Sequence, residues 1–307
     1  MRAVVVRTTG GPEVVEVIDR PVPEPGIAEV RLKVRAASLN PADAAVRAGF
    51  FGAPPAGGVG LGWDVAGVVD AVGPAVALPV GAPVIALVQG TLLPVKGQAE
   101  YVVVGVSAVA PAPAGIAPEL AATIPLNGLT AAQSLELLGL AAGATVLITG
   151  AAGAVGGYAV QLAGRLGLTV IATGSAADEA LVRDDFGAQV YLAKGGGLGA
   201  AVREHVPDGV DGVLDTAMLG GAALPALRDG GVFVTTRIDA MPRPERGIRV
   251  RLTSVGADAS RLTTLSDLAA AGRITPRVAA TYPLEEAATA HARLAAGGLR
   301  GRVVLVS

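Results

Sequence analysis

The stretch TVLITGAAGAVGGYAVQLAGRLG, residues 145–167, decides the fold. Its apolar beginning predicts a buried strand over Thr145 to Thr149, its glycines predict a tight turn, and the remainder predicts a helix over Ala154 to Leu166. The free N–H groups and the dipole at the start of such a helix attract a pyrophosphate, and glycine lets the backbone approach a ligand closely. The candidate pyrophosphate contacts are Gly150, Gly153, Ala154, Val155 and Gly156.

The spacing of these glycines leaves two interpretations open. It is GxxGxxG, whereas the usual dinucleotide-binding pattern is GxGxxG. Tight packing of the helix against the strand would require the same small residues without any ligand. The strand directly before the turn and the helix directly after it favour dinucleotide binding.

Strands alternate with helix-length segments on both sides of this stretch. Strands are predicted at residues 169–173, 190–192, 212–215 and 231–235, and helices at 119–123, 130–138, 178–186 and 222–227. This alternation, which begins at Pro118, predicts an α/β fold, a doubly wound parallel sheet covered on both faces. Further along, a helix at 261–271, a strand near 277–282, a helix at 284–295 and a last strand at 301–306 are expected.

The first third of the chain is rich in Pro and Gly, which is typical of short strands joined by turns. Strands are predicted at residues 28–36, 65–72, 83–88 and 99–104. In the first of these, Val30, Leu32 and Val34 alternate with charged residues, as in a strand with one solvated face. We therefore predict a mostly β domain over residues 1–118, which gives two domains in total.

An uncharged run of 28 residues, Leu137 to Gly164, raises the alternative of a membrane span. Seven of these residues are glycines, and they cluster where a continuous helix would have to run. The segment is better explained as a buried strand, a glycine turn and a helix. The beginning of the chain lacks the apolar core of a secretory signal, so a cytoplasmic protein is expected.

Composition excludes several classes of function. Of the 307 residues, 24 are Lys or Arg and 26 are Asp or Glu, so the net charge of −2 gives no field to recruit nucleic acid or an anionic membrane. The nine aromatic residues offer few stacking platforms for RNA or single-stranded DNA. With no Cys and only His205 and His291, the chain lacks thiolate ligands and has too few histidines for a histidine zinc site.

The end of the second strand of the α/β domain addresses the choice between NADPH and NADH. NAD-binding units usually place a carboxylate there, which holds the ribose 2′-hydroxyl and would repel a 2′-phosphate. Here the residues are Thr173, Gly174 and Ser175, so NADPH is favoured. No Lys or Arg lies between Arg165 and Arg183, so a cation for that phosphate must come from elsewhere. As the alternative, Ser175 would only cap the helix that begins near Asp178 or start a turn.

Two further strand ends lie where open α/β sheets bind ligands. Asp215 and Thr216 follow the strand predicted at 212–215, and Thr235 and Thr236 end the next one. The backbone at Asp215, Thr216 and Thr235 is expected to contact a nicotinamide.

The chain as a whole resembles the medium-chain dehydrogenase/reductase superfamily, and within it the zinc-free quinone oxidoreductase branch. The resemblance covers nearly all residues in order, with segments that match independently of the glycine turn. These segments are SLNPAD (38–43), GWDVAGVV (62–69), GQAEYVVV (97–104), NGLTAA (127–132), DGVLDT (211–216), YPLEEAATAH (282–291) and RGRVVL (300–305). It implies a GroES-like domain over 1–118, completed by 276–307, that carries the substrate, and a Rossmann domain over 119–275.

The resemblance also implies site residues. Zinc-dependent relatives place a Cys and a His at the positions matched by Asn40 and Trp63, so no metal site is expected here. In zinc-free relatives the residues matched by Asn40 and Thr130 lie near the nicotinamide, which makes these two the candidate catalytic and cofactor-orienting residues. As alternatives, Asn40 would only form an NP turn and Thr130 would only cap a helix.

Other polar residues are expected to be structural. Asp43 and Asp64 should pair with backbone or an arginine, because a solvated Asp is a poor acid at neutral pH. Many relatives carry a Tyr at the position of Ala45, so the usual proton donor is missing and water is expected to supply the proton. His291 is expected to be a buried structural residue. Arg300 and Arg302 are expected at a solvated strand edge, with a phosphate contact as the alternative.

These features together predict a zinc-independent, NADPH-dependent oxidoreductase that transfers hydride to a quinone or an α,β-unsaturated carbonyl compound. The alternative is an NAD(P)H-binding redox sensor or interaction protein with little turnover. The expected partners are a small-molecule quinone or enone and a second copy of the chain in a homodimer, without nucleic acid or membrane.

Overall fold

The computed structural model describes residues 1–307, and the chain divides into two units, residues 1–129 with 256–307 and residues 130–255. The strands are β1 (Arg2–Val6), β2 (Val15–Asp19), β3 (Glu29–Ser38), β4 (Val59–Gly60), β5 (Asp64–Val72), β6 (Pro83–Leu87), β7 (Tyr101–Gly105), β8 (Val109–Pro111), β9 (Thr145–Thr149), β10 (Thr169–Gly174), β11 (Val190–Ala193), β12 (Val210–Asp215), β13 (Leu227–Thr235), β14 (Arg249–Leu252), β15 (Val278–Pro283) and β16 (Arg302–Val306). The helices are α1 (Pro41–Arg47), α2 (Pro118–Ala121), α3 (Pro125–Leu138), α4 (Ala154–Arg165), α5 (Leu198–His205), α6 (Ala259–Ala270) and α7 (Ala287–Ala295).

The first unit is built around a seven-stranded sheet. Its order is β15-β16-β3-β5-β6-β8, and β7 pairs with β3. The predicted alternation in β3 is confirmed, since Val30, Leu32 and Val34 are buried while Lys33 and Arg35 are exposed. β16 pairs antiparallel with β3, so the last strand of the chain completes the sheet formed by the first third. A smaller sheet, β2-β1-β4, belongs to the same unit.

The second unit contains the predicted doubly wound sheet. Its six strands are all parallel and lie in the order β11-β10-β9-β12-β13-β14. Numbered along the chain within this unit, that order is 3-2-1-4-5-6, the arrangement of dinucleotide-binding Rossmann sheets. Its core includes the fully buried Leu147, Val213 and Phe233. The predicted combination of a GroES-like sheet domain and a Rossmann domain is therefore confirmed.

The uncharged run 137–164 forms the end of α3, the strand β9, the glycine turn and most of α4. No helix in the structure combines the length and the apolar character needed to cross a membrane. The interpretation of this run as a buried strand followed by a turn and a helix is confirmed.

Three predicted helices differ from those in the structure. The helix predicted at 130–138 begins at Pro125, because proline is well suited to the first helical turn, and Thr130 therefore cannot be its N-cap. The segment predicted as a helix at 178–186 contains a 3₁₀ turn, Ala176–Asp178, followed by a π turn, Leu181–Asp185. The third, predicted at 222–227, is a 3₁₀ helix with Pro225 inside it, and the residue after it already belongs to β13.

The two units divide at 129/130 and 255/256, whereas the sequence predicts domain boundaries at 118/119 and 275/276. Residues 256–275, which include α6, therefore lie with the first unit. The side chain of Ser266 in α6 donates a 2.7 Å hydrogen bond to the carbonyl of Pro111 at the end of β8. This helix packs with the first unit, although the boundaries implied by the family resemblance place it in the Rossmann domain.

Candidate functional site

The glycine turn of the second unit lies where the strand order reverses. The turn follows β9, and Asp215 ends β12, the strand on the other side of the reversal. Open α/β sheets bind ligands outside the carboxyl ends of the strands at such a point. The turn and the end of β12 therefore form a candidate dinucleotide site within this unit.

Each of the three glycines has a different structural reason. Gly150 has φ +63°, a conformation that other residues rarely adopt. At Gly156 a Cβ would lie 2.2 Å from the carbonyl oxygen of Gly150, so only glycine lets α4 pack on the turn. Gly153 is the N-cap of α4, and it places no side chain over the first turn of that helix. Backbone conformation explains Gly150 and tight packing explains Gly156, whereas an anion at the helix start is an additional reason for Gly153.

Thr149, Asp215 and Thr216 form a hydrogen-bond cluster beside the turn. The hydroxyl of Thr149 donates to Asp215 Oδ1 at 2.6 Å and accepts from the backbone N–H of Thr216 at 3.0 Å. Asp215 Oδ2 accepts from the backbone N–H of Gly220, and the Thr216 hydroxyl donates to the carbonyl of Thr149. The side chains of Asp215 and Thr216 thus fix the end of β12 against β9.

The Thr173–Ser175 segment has two neighbours that no local sequence pattern indicated. The hydroxyl of Tyr191 donates to the carbonyl of Ser175, and the backbone N–H of Lys194 donates to the carbonyl of Gly174 at 2.6 Å. Lys194 is exposed and lies directly after β11, so the pairing of β10 with β11 brings a lysine to this tip. Ser175 makes no side-chain capping bond, but it precedes the 3₁₀ turn Ala176–Asp178, and its carbonyl accepts from the backbone N–H of Asp178 at 2.8 Å. The alternative in which Ser175 starts a turn therefore agrees with the structure.

Thr235 at the end of β13 is buried, and its hydroxyl lies 3.3 Å from both the backbone N–H and the carbonyl of Arg237. Like Asp215 and Thr216, it offers a ligand its backbone rather than its side chain. The predicted contacts of these three residues with a nicotinamide stay a prediction.

Asn40 belongs to a buried network in the first unit. Its Nδ2 donates to Asp64 Oδ2 at 2.6 Å, and its Oδ1 accepts from Asn127 Nδ2 at 3.1 Å. Asn127 Oδ1 in turn accepts from the guanidinium of Arg302, with Nε at 3.1 Å. Arg302 therefore is not the solvated strand-edge residue that the sequence predicts. The network also fixes the amide plane of Asn40, since both its nitrogen and its oxygen have partners.

Asp43 and Asp64 are fully buried, so the reason given for a structural role, that a solvated Asp is a poor acid, does not apply to them. Asp43 accepts from the backbone N–H groups of Asn40 and Gly62, at 2.8 and 2.6 Å. Asp64 accepts from the Ser38 hydroxyl as well as from Asn40, and also from the backbone of Leu126. Burial raises the pKa of both carboxyl groups to about 6. Of the expected partners, backbone or an arginine, both residues have backbone N–H donors, and Asp64 also accepts from two neutral side chains.

Lys96 is the largest fully buried side chain of this structure, and no sequence pattern pointed to it. It is 1% exposed, and its Nζ donates to the carbonyl of Gly90 at 2.6 Å. The same Nζ lies 3.2 Å from the centroid of the Trp63 ring, within the distance of a cation–π contact.

The residues at the zinc-ligand positions do not fit a zinc ion. Asn40 is committed to Asp64 and Asn127, the indole of Trp63 has no free lone pair, and the Lys96 ammonium lies against that ring. No group of three His, Cys, Asp or Glu side chains in the structure could hold a metal ion. The absence of zinc from the protein stays a prediction.

The remaining candidates are placed as follows. Thr130 is buried within the second turn of α3. His291 is also buried, its Nε2 lies 3.0 Å from Gln98 Oε1, and burial lowers its pKa to about 3, which agrees with a structural role. His205 is exposed at the end of α5, and Arg300 is exposed before β16.

Comparisons with known proteins agree with this architecture. Residues 26–114 match the alcohol dehydrogenase GroES-like domain family, and residues 186–305 match the zinc-binding dehydrogenase family. Mouse quinone oxidoreductase is 30% identical over 329 residues, which cover 100% of this chain and 98% of that protein. A protein of the spectinabilin polyketide synthase system of Streptomyces orinoci is 36% identical over 321 residues, but these cover 98% of this chain and only 14% of that protein.

Solved structures of similar fold and sequence agree with these family matches. An NAD-dependent alcohol dehydrogenase is 33% identical, with a TM-score of 0.89 and complete coverage of both chains. A mycobacterial protein in complex with NADPH is 31% identical, with a TM-score of 0.84 and complete coverage of both chains. The chain belongs to the medium-chain dehydrogenase/reductase superfamily, in its quinone oxidoreductase branch.

Proposed function

We propose that this protein is a zinc-independent oxidoreductase that uses NADPH to reduce a quinone or an α,β-unsaturated carbonyl compound. The observation that carries the proposal is the glycine turn at the reversal of the strand order, followed by a helix whose N-cap, Gly153, has no side chain. When bound, the reduced nicotinamide would supply the hydride. The quinone oxidoreductases among the relatives support the acceptor class.

The second unit would bind the dinucleotide mainly through its backbone. The N–H groups at the start of α4, from Ala154 to Gly156, would face the anion, and the helix dipole favours a pyrophosphate there. Gly150 and Gly156 hold this turn in the required shape.

NADPH rather than NADH is supported by the Thr173–Ser175 tip. No carboxylate lies at this position to repel a 2′-phosphate, and the Ser175 hydroxyl would donate to it. The Lys194 side chain would supply the cation that the residues between Arg165 and Arg183 lack, since its backbone is bonded to Gly174.

Asn40 and Thr130 are the proposed orienting residues for the nicotinamide. Asn40 would act from a fixed position, because Asp64 and Asn127 hold its amide group. Its second Nδ2–H makes only long contacts, at 3.4 Å, with the carbonyl and hydroxyl of Ser38, and it is the group with most capacity for another acceptor. A substrate site that positions its reactants without a metal would work by proximity and exclusion of water.

The homodimer also remains a proposal. β14 is an edge strand of the Rossmann sheet, and strand edges are common pairing surfaces. Its Arg249 and Arg251 are exposed, however, and like charges oppose the pairing of two such edges. Light scattering after size-exclusion chromatography would give the mass in solution.

The experiment that tests the proposed function measures cofactor affinity and turnover together. Dissociation constants from fluorescence should be lower for NADPH than for NADH, and NADPH should be oxidised in the presence of 1,4-naphthoquinone or cyclohex-2-enone. Equal or tighter binding of NADH would contradict the NADPH assignment. Binding of NADPH without oxidation by any acceptor would favour a redox sensor.

The Lys194→Ala variant tests the phosphate contact directly. We expect NADPH affinity to fall about tenfold, equivalent to about 1.4 kcal/mol, while NADH affinity stays the same, because only NADPH carries the 2′-phosphate. Lys33→Ala, which removes an exposed lysine of β3, is the matched control. An equal loss of affinity for both cofactors would show that Lys194 acts on the fold of the tip instead.

A further inference from the structure

The chain contains only two asparagines, Asn40 and Asn127, and their side chains are hydrogen-bonded to each other. Both residues are buried, with exposed fractions of 0% and 1%. Asparagine is mostly found at protein surfaces, because a buried amide must find partners for both its oxygen and its nitrogen. The hydrogen bonds of this pair are therefore what distinguishes it from a pair of apolar core residues.

The strand register brings a third side chain, that of Arg302, to this pair. β16 pairs antiparallel with β3, and Val304 lies opposite Ser38. Two residues further in that register lie Arg302, at the start of β16, and Asn40, after the end of β3. The guanidinium of Arg302 donates to Asn127 Oδ1 through Nε, at 3.1 Å, and through Nη2.

These three side chains and Asp64 form one directed chain of hydrogen bonds. A guanidinium has only donors, so the atom of Asn127 that faces Arg302 must be its oxygen. The nitrogen of Asn127 then faces Asn40 Oδ1 at 3.1 Å, and the nitrogen of Asn40 faces Asp64 Oδ2 at 2.6 Å. Burial raises the pKa of Asp64 to about 6, so at neutral pH this end of the chain is a carboxylate, which has only acceptors.

The charges at the two ends fix the direction of both amides. Reversing the Asn127 amide would place its N–H bonds against the guanidinium of Arg302. Reversing the Asn40 amide would place its oxygen against the carboxylate of Asp64. Either change would leave buried polar groups without partners, which costs more free energy than a typical hydrogen bond contributes. The Asn40 amide therefore has one favoured orientation.

The two amides differ in the hydrogen-bonding capacity that remains. Asn127 uses both of its N–H bonds, since its Nδ2 also donates to the carbonyl of Thr123 at 3.3 Å, and its oxygen accepts twice from Arg302. In Asn40, one N–H donates to Asp64, whereas the other makes only contacts of 3.4 Å. Asn127 is thus saturated by its neighbours, and Asn40 is the member of the pair that retains a donor.

We propose that Arg302 and Asn127 are positioning residues, which act through Asn40 by fixing the direction of its amide. In this direction Asn40 serves the bound nicotinamide as a hydrogen-bond donor through Nδ2. The inference rests on the proposed function, in which Asn40 orients the nicotinamide, and it adds the residues that orient Asn40.

The first test observes the two amides by NMR in the cofactor-free protein and needs no turnover. Asparagine labelled with 15N in its side chain should give two NH2 groups, which Asn40→Ala and Asn127→Ala assign. Arg302→Met should shift the Asn127 signals, and through Asn127 also those of Asn40. Arg273→Met, which removes an exposed arginine of the same unit, is the matched control and should shift neither.

Asn127→Asp tests the direction of the chain without changing the size of the side chain. Its carboxylate keeps a partner for Arg302, but it cannot donate to Asn40 Oδ1 and would repel that oxygen. The Asn40 signals should therefore shift further than in Arg302→Met. Asn40 signals that are unchanged in both variants would overturn the inference, whether or not the protein reduces any acceptor.

Addition of NADPH to the labelled protein connects the chain of hydrogen bonds to the cofactor. NADPH should shift the Asn40 signals of the wild type, and it should shift them less in Asn127→Asp, where the donor no longer has its fixed direction. The same NADPH shift in the wild type and in Asn127→Asp would overturn the positioning role.

The second test is a double-mutant cycle in kcat/KM for the acceptor. Asn127→Ala should lower kcat/KM about fivefold, and Asn40→Ala about tenfold. The double variant should lose no more than Asn40→Ala alone, because a positioning residue has no effect once the residue that it holds is removed. Losses that multiply in the double variant, or an unchanged kcat/KM in Asn127→Ala, would show that Asn127 has a structural role only.

The two tests separate this inference from the proposed function. If the wild type oxidises NADPH with no acceptor, the proposed function fails, while the NMR signals of Asn40 still decide whether Arg302 and Asn127 control its amide. If turnover is found but the Asn40 signals ignore both Arg302→Met and Asn127→Asp, the proposed function stands and this inference is wrong.

Discussion

The two units hold their candidate site residues in different ways. In the second unit the site is made of backbone and small side chains, and its carboxylate, Asp215, is satisfied by Thr149 and the N–H of Gly220. In the first unit the site is made of buried polar side chains, among them two carboxyl groups and a lysine. A backbone site depends on shape, whereas a site of buried titratable groups depends on pH as well.

We expect the largest effect from a variant that disrupts the glycine turn of the second unit. Gly156→Ala would place a Cβ 2.2 Å from the carbonyl oxygen of Gly150. Neither the backbone at residue 156 nor the Gly150 carbonyl can move away without opening the turn. We expect NADPH affinity to fall about 100-fold, or about 2.7 kcal/mol, in fluorescence titrations. The free energy of unfolding should also fall, by about 2 kcal/mol.

Gly164→Ala is the matched control for that variant. It lies in the same helix, and a Cβ there meets nothing within 4 Å. Because alanine favours helix over glycine, urea denaturation should show a gain of about 0.5–1 kcal/mol and unchanged NADPH affinity. Equal NADPH affinity in the two variants would contradict a backbone site.

We expect a smaller effect, on kcat/KM, from substitution of the proposed orienting residues. Asn40→Ala and Thr130→Ala should each lower kcat/KM about tenfold, or about 1.4 kcal/mol, in steady-state assays. Asn40→Ala should also lower the free energy of unfolding, since it leaves Asp64 and Asn127 each short of a buried partner. If both variants keep the wild-type kcat/KM, the proposed orienting role of these residues is wrong.

The pH dependence of stability should have opposite signs in the two units. Burial raises the pKa of Asp64 to about 6, so the folded state binds more protons than the unfolded state between about pH 4 and 6. The contribution of Asp64 to the free energy of unfolding therefore decreases as pH rises through this window. Relative to Asp64→Asn, the wild type should lose about 2 kcal/mol between about pH 4.5 and 6.5 in urea denaturation.

Asp211 of the second unit is the matched comparison. Burial acts to raise its pKa, but hydrogen bonds from the backbone of Thr145 and from Arg228 outweigh it and hold the pKa below the usual value. Its contribution is present above about pH 4 and is lost as pH falls. Relative to Asp211→Asn, the wild type should therefore gain stability as pH rises. If the free energy of unfolding changed with pH in the same direction for both aspartates, the expected difference between the two units would be wrong.

The sequence alone predicted the features that depend on local pattern. The apolar run of β9, the glycine turn and α4 follow one another within residues 145–167, and each obeys a short-range rule of periodicity or backbone geometry. The alternation of strands and helices then predicted the parallel sheet, and the ordered segments of the family resemblance predicted both domains.

Only the tertiary structure decided which polar side chains meet. Lys194 reaches the Thr173–Ser175 tip because β10 and β11 are neighbours, and Lys96 lies on Trp63 although the two are far apart in the chain. Asn127 is hydrogen-bonded to Asn40, which lies 87 positions away in the sequence, and to Arg302, which lies 175 positions away. The same folding buried Asp43 and Asp64. Local sequence limits the conformation of each segment, but burial, and with it charge and pKa, depends on neighbours that are distant in the chain.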